Sequence, residues 1–188
     1  MAFVVVYDAC VLYPAPLRDF LIRLARTGLV QAKWSDEILD ECFRAIGRER
    51  PELSPDALAR TRRLMTEAIP DCMVTGHSSL IDGLTLPDPD DRHVLAAAVR
   101  AGAQTIVTFN LRDFPSTVLD SFGIEARHPD DFVVDQIDFA PGAVVGALLE
   151  QVRALKNPPM TRDQVLDRLR DAGLVQSVAK LREVLGGS

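Results

Sequence analysis

Carboxylates placed on or beside apolar stripes are this sequence's main offer to chemistry. Asp8 follows directly on the Val-rich run Phe3–Tyr7, and Asn110 and Asp113 follow the apolar run 105–108. Glu41 stands three residues after Ile38 and four before Ala45, and Asp91 precedes Val94, Leu95 and Ala98 by three, four and seven residues. At about 100° per residue, this spacing sets Glu41 beside the apolar face of a helix and Asp91 within one. A charge on a buried face is costly unless it has a partner. Four inward carboxylates (Asp8, Glu41, Asp91 and Asp113) repel one another unless a cation sits between them. All-oxygen ligation favours Mg²⁺ or Mn²⁺ over zinc. Such ions activate water and clamp the oxygens of a phosphodiester, so the chemistry pointed at is phosphodiester hydrolysis.

Each residue also has a plainer reading. Asp8 alone reads as a turn-forming residue. Glu41 could lay its stem on the core edge with its head in water. Asp91 could serve the free N–H groups at a helix start, and Asp88, just before Pro89, reads best as an N-cap. His93 reads as a surface residue.

The elements that must position these groups are legible. Phe3–Tyr7 is short, continuous and Val-rich, as a strand buried on both faces is. Leu17, Phe20, Leu21 and Leu24 predict an amphipathic helix ended by Thr27 and Gly28. Ser35, followed by Asp36 and Glu37, predicts a capped helix carrying Ile38, Cys42, Ala45 and Ile46. Ser54-Pro55 opens a helix reaching Ile69. A short strand is expected at 73–75, a helix from Asp88-Pro89 to Gly102, and strands at 105–108 and 124–126. This alternation predicts an α/β fold with a central parallel sheet flanked by helices.

From Pro141 onward only helices are expected, broken at Pro158-Pro159, with a Thr161/Gln164 capping box and a stop at Gly173. Their stripes are Val145, Leu148, Leu149, Val152 and Leu155, then Leu166 and Leu169, then Val178, Leu181 and Leu185. Short helices are marginal alone, so these must pack on one another, on the sheet domain or on a partner. Two domains are expected: 1–138, carrying the acids, and 139–188, a helical C-terminal extension.

At 47% hydrophobic and 26% charged, the chain has the balance of an ordinary globular protein, which excludes disorder. The net charge of −6 argues weakly against a nucleic-acid binder. Clustered metal-binding acids soften that argument. So does the dominance of arginine, suited to forked phosphate contacts; the lysines are only Lys33, Lys156 and Lys180. Cys10, Cys42 and Cys72 form no CxxC and read as small core residues, and with three histidines a structural zinc site is not expected. No apolar run is long enough for a bilayer, and the start lacks the pattern of a secretory leader. A cytoplasmic protein with no membrane contact is expected.

Four segments, in order, resemble the PIN domain as found in VapC-type toxins. They are Val-Val-Tyr-Asp8-Ala-Cys-Val-Leu, Trp34 to Glu41, Leu86-Pro-Asp88-Pro-Asp-Asp91-Arg-His-Val-Leu-Ala-Ala-Ala, and Val107-Thr-Phe-Asn110-Leu-Arg-Asp113-Phe114. The resemblance covers roughly residues 3 to 135. It implies a divalent-metal endoribonuclease acting on RNA, paired with a cognate antitoxin protein. Asp8, Glu41, Asp91 and Asp113 match the family's four acids, with Asn110 as the accompanying polar residue. Phe109 departs from the pattern, where Arg or Asp often stands, which points to altered substrate contacts. The tail resembles the extension of a longer VapC-like subgroup. A toxin homodimer within a larger complex is expected, through helical faces near 17–24 and 54–69.

Three other readings compete. An aspartyl-phosphate phosphatase needs a second acid two residues after Asp8, where Cys10 stands. A flap-type DNA nuclease shares the chemistry but would need long insertions. A catalytically inactive PIN-like RNA-binding or scaffolding module is opposed by retention of all four acids, and Mn²⁺-dependent RNA cleavage separates it from an enzyme.

Overall fold

The computed structural model describes residues 3–186; residues 1, 2, 187 and 188, the outer ends of the two expected domains, lie outside the described residues. Its sheet has four strands, β1 (Phe3–Tyr7), β2 (Val30–Lys33), β3 (Thr105–Val107) and β4 (Glu125–Arg127). All pairs are parallel and the spatial order is β2-β1-β3-β4. Central β1 has Val5, Val6 and Tyr7 fully buried, which is why it reads as an unbroken apolar run. The chain leaves β1 for one side of the sheet and later returns to β3 on the other. Strand order therefore reverses between β1 and β3, and the crevice beyond their carboxyl ends is where such sheets take ligands. Tyr7 pairs with Val107, so the next residues, Asp8 and Thr108, emerge side by side.

Ten α-helices surround the sheet: α1 (Ala9–Leu12), α2 (Ala15–Arg26), α3 (Asp36–Glu49), α4 (Pro55–Ala68), α5 (Arg92–Ala101), α6 (Ser116–Leu119), α7 (Pro129–Phe139), α8 (Pro141–Ala154), α9 (Arg162–Asp171) and α10 (Val175–Gly186), among the described residues. The caps follow the sequence. Ser35 Oγ accepts from Ile38 N, Ser54 Oγ from Ala57 N, and Thr161 and Gln164 form both halves of a capping box.

Three expectations are corrected. The strand at 73–75 is a single parallel bridge between Trp34 and Met73. Asp71 and Gly76, both at positive φ, leave too little extended chain between them for a ladder. The helix expected from Asp88 begins instead with a 3₁₀ turn, Pro89–Asp91, that Asp88 caps by accepting from Asp90 N. Asp91 thereby becomes the N-cap of α5, with no hydrogen bond from its side chain to the helix backbone. In α8 the buried face is Val144, Ala147, Leu148 and Gln151, one residue round from the expected stripe, leaving Leu149 exposed. Packing of α8 on α2 sets this rotation, with Gln151 Nε2 donating to Pro16 O at 3.0 Å.

The tail does not stand apart. Val165, Leu166, Leu169, Val178 and Leu181 share one hydrophobic cluster with Val5, Phe20 and Trp34. Buried Asp130 on α7 fastens α10: its carboxylate accepts from Gln176 N and Ser177 N, each at 2.8 Å, and from Ser177 Oγ at 2.6 Å. Among the described residues, no single helix is long and apolar enough to cross a membrane.

Candidate active site

Asp8 is only 3% exposed. Its carboxylate accepts from Thr108 Oγ1 at 2.7 Å, from Ala9 N at 2.7 Å and from Cys10 Sγ at 3.3 Å. Burial pushes its pKa up and the charge of Glu41 adds to that; the three hydrogen bonds pull the other way without prevailing. Thr108, not singled out in the sequence, is thus the closest side-chain partner of Asp8. The signal for it was the strand register, which parallel pairing of two runs each ending in a polar residue could have suggested.

Cys10 departs from the expected core role. Its sulfur donates to Asp8 and accepts from Phe109 N at 3.3 Å, lying 3.4 Å from Thr108 Oγ1. Burial pushes its thiol up to about 12, so it stays a protonated donor. Cys42 and Cys72 are buried, as expected.

Asp91 reports the convergence of the acids. Its pKa is pushed up to about 7, first by burial and then by the charges of Asp8, Asp88, Asp113 and Glu41. Of the acids chosen from sequence, Asp8, Glu41 and Asp113 therefore all bear on Asp91, and Asp88 joins them. Asn110 is exposed and reaches the cluster through its backbone, its N–H donating to Thr108 Oγ1 at 3.0 Å.

Glu41 stands at the rim of its helix stripe, and its partner is His93, Nε2 to Oε2 3.5 Å. His93 is therefore not the surface residue expected; its side chain is 16% exposed. Burial disfavours its charged form, but Glu41 above all, with Asp8 and Glu37, outweighs this and raises its pKa. One turn back, Glu37 Oε2 lies 3.2 Å from Nε2 of buried His77. The angle misses hydrogen-bond geometry, leaving both ring nitrogens of His77 without such a bond. The i, i+4 spacing of Glu37 and Glu41 was the readable half of this pattern; the facing histidines required the placement of α5, which carries His93, and of the segment just before the 3₁₀ turn Ser78–Gly83, which carries His77, against α3.

Among the described residues, no three His, Cys, Asp or Glu side chains already close around a point as a metal cage would. The donors nonetheless fit a hard cation: they are carboxylate and hydroxyl oxygens, and the charges of Asp8, Asp88, Asp113 and Glu41 all bear on Asp91. Phe109 faces the tail, its ring 5.2 Å from that of His128, edge on, and against Gly173.

Residues 4–112 match the PIN domain family, and residues 129–183 match a family described as the VapC50 C-terminal domain. Among curated proteins, a Mycobacterium tuberculosis (strain ATCC 25618 / H37Rv) protein named "Putative ribonuclease VapC50" is 46% identical over 94 residues. That stretch is 50% of this chain and 55% of the relative, so the match spans about half the length of each. No solved structure matches the chain. The PIN match takes in more than half of the chain, including β1, β3 and the acids from Asp8 to Asp91, and the chain belongs to the PIN-domain family.

Proposed function

We propose that this chain is a metal-dependent endoribonuclease, the toxin half of a toxin–antitoxin pair. The observation that carries the reading is the gathering of acids beyond the carboxyl ends of β1 and β3, where Asp8, Glu41, Asp88 and Asp113 bear on the Asp91 carboxyl and, with its burial, raise its pKa. Perturbed acids gathered at a strand-order switch point are a functional-site signature. Asp8, Glu41, Asp91 and Asp113 would hold Mg²⁺ or Mn²⁺. A divalent cation there supplies Lewis acidity toward the phosphodiester and a source of activated water. Thr108 orients Asp8 and His93 restrains Glu41, while Asn110 borders the site.

The RNA substrate, the antitoxin and a cytoplasmic setting follow from the family resemblance, and the relative's printed name is a ribonuclease's. The same unneutralised acids would accept a forked guanidinium, so an antitoxin arginine is the natural plug for the site. We further propose a toxin homodimer within that complex; of the two faces expected for it, the apolar side of 17–24 is spent on the chain's own core, with Leu17, Phe20, Leu21 and Leu24 buried, which leaves the face at 54–69, where Leu64 is exposed. The test is incubation of the purified protein with total RNA, in Mn²⁺ and in EDTA. Asp8→Asn and Asp91→Asn should keep the fold and each lower Mn²⁺-dependent cleavage by at least roughly 100-fold, because a neutral amide ligates a hard cation poorly. Cleavage at wild-type rates by both variants would overturn the assignment.

A further inference from the structure

A cavity of about 570 Å³ opens between α1 and α3, lined by Ala9, Cys10, Tyr13, Glu41, Cys42, Ala45, Arg48 and Glu49. It adjoins the acid cluster directly. Glu41 forms part of its wall, and Cys10, another part, donates to Asp8. Ala9, Cys42 and Ala45 make the rest of the inner wall small and apolar. Tyr13, at the C-terminal end of α1, is half-buried and brings an aromatic ring. Arg48, exposed on the last turn of α3, is the lining's cation.

Resting on the nuclease reading above, we propose that this cavity takes an unpaired nucleobase of single-stranded RNA, next to the phosphate held at the acids. A phosphodiester at the acid cluster must send its flanking nucleotides somewhere, and a carbon-lined recess beside Glu41 offers room for a base. Splayed bases of single strands stack on aromatic rings, and such stacking tolerates any base because every base has a π-face. Arg48 at the rim suits the next phosphate along the strand.

The experiment measures kcat/KM in Mn²⁺ on a single-stranded RNA oligonucleotide and on copies carrying one abasic nucleotide at successive positions around the cut. With the wild type, one abasic position flanking the cut should lower kcat/KM by about 5- to 100-fold. Tyr13→Ala should lower it similarly on the intact oligonucleotide and be indifferent to that abasic position. Tyr13→Phe, which keeps the ring, should behave like the wild type. Arg48→Ala should raise KM and flatten its salt dependence. Tyr13 also packs on the core, so Tyr13→Leu, filling the space without a π-face, serves if Tyr13→Ala fails to fold. Wild-type cleavage with no abasic position coupled to Tyr13 overturns the base pocket and leaves the nuclease reading intact. Failure of the wild type to cut any RNA overturns that reading and the pocket with it.

Discussion

At the scale of the residue, Asp91 carries the electrostatic cost of the site. Its folded pKa of about 7 stands well above the unfolded value of about 3.9. Between these values the folded chain keeps a proton that the unfolded chain has released, so stability falls as pH rises through the window. Asp8, also raised, acts in the same direction. Asp91 is only half-buried, and solvent screening reduces its share to about 1–2 kcal/mol. The expected outcome in EDTA is that Asp91→Asn gains stability over the wild type at about pH 8 and not at about pH 5. Thermal melts at the two pH values check this, and a difference independent of pH would contradict it. Added Mn²⁺ should raise the melting point of the wild type at pH 8 and of Asp91→Asn far less, since the cation relieves the repulsion that the substitution has already removed.

At the scale of the element, the loop after β3 is held from both sides. Cys10 binds the N–H of Phe109 from α1, while the Phe109 ring packs on His128 and on Gly173, just past α9. The departure of Phe109 from the family pattern is thus explained by the tail: an apolar ring fits where a charged residue would be buried unpaired. Gly173 has φ of +108°, and a Cβ there would lie 2.8 Å from the Phe109 ring. Gly173→Ala therefore combines backbone strain with a clash and should cost about 2–4 kcal/mol. Because Thr108 and Asn110 flank Phe109, the same change should lower cleavage beyond what lost stability explains. Urea titration gives the first number; activity of the folded fraction gives the second. An alanine variant with a wild-type urea midpoint would show that the contact is dispensable.

At the scale of the whole molecule, the helices after 138 are built into one core. Leu148, Leu166, Leu169 and Leu181 are fully buried in the cluster that contains β1, and Asp130 caps α10 from α7. Ending the chain at Asp138 would expose the apolar faces that these helices cover and remove the α10 donors that Asp130 binds, which is strongly destabilising. The truncated chain is expected to lack a cooperative unfolding transition, and the full chain is expected to unfold in one step. Calorimetry of both tests this; a truncated chain with its own sharp transition would show that the tail is a separable accessory. A docking role for the tail then falls to what it leaves exposed, such as Phe139 and Val175, rather than to its main apolar stripes.

The sequence by itself determined the local features and the chemical types. The Val-rich run before Asp8, the caps at Ser35, Ser54 and Thr161, and the placing of acids at strand ends and stripe edges are all properties of a few consecutive residues. Propensity, periodicity and capping act at that range. The tertiary structure decided which polar groups meet. Thr108 reaches Asp8 only because β1 and β3 pair in one register, and His93 reaches Glu41 only because α5 packs beside α3. It also set the rotation of α8, where contact with α2 overrode the helix's own best apolar stripe by burying Gln151. Such pairings depend on the summed packing of distant segments, and no short window of sequence contains that sum.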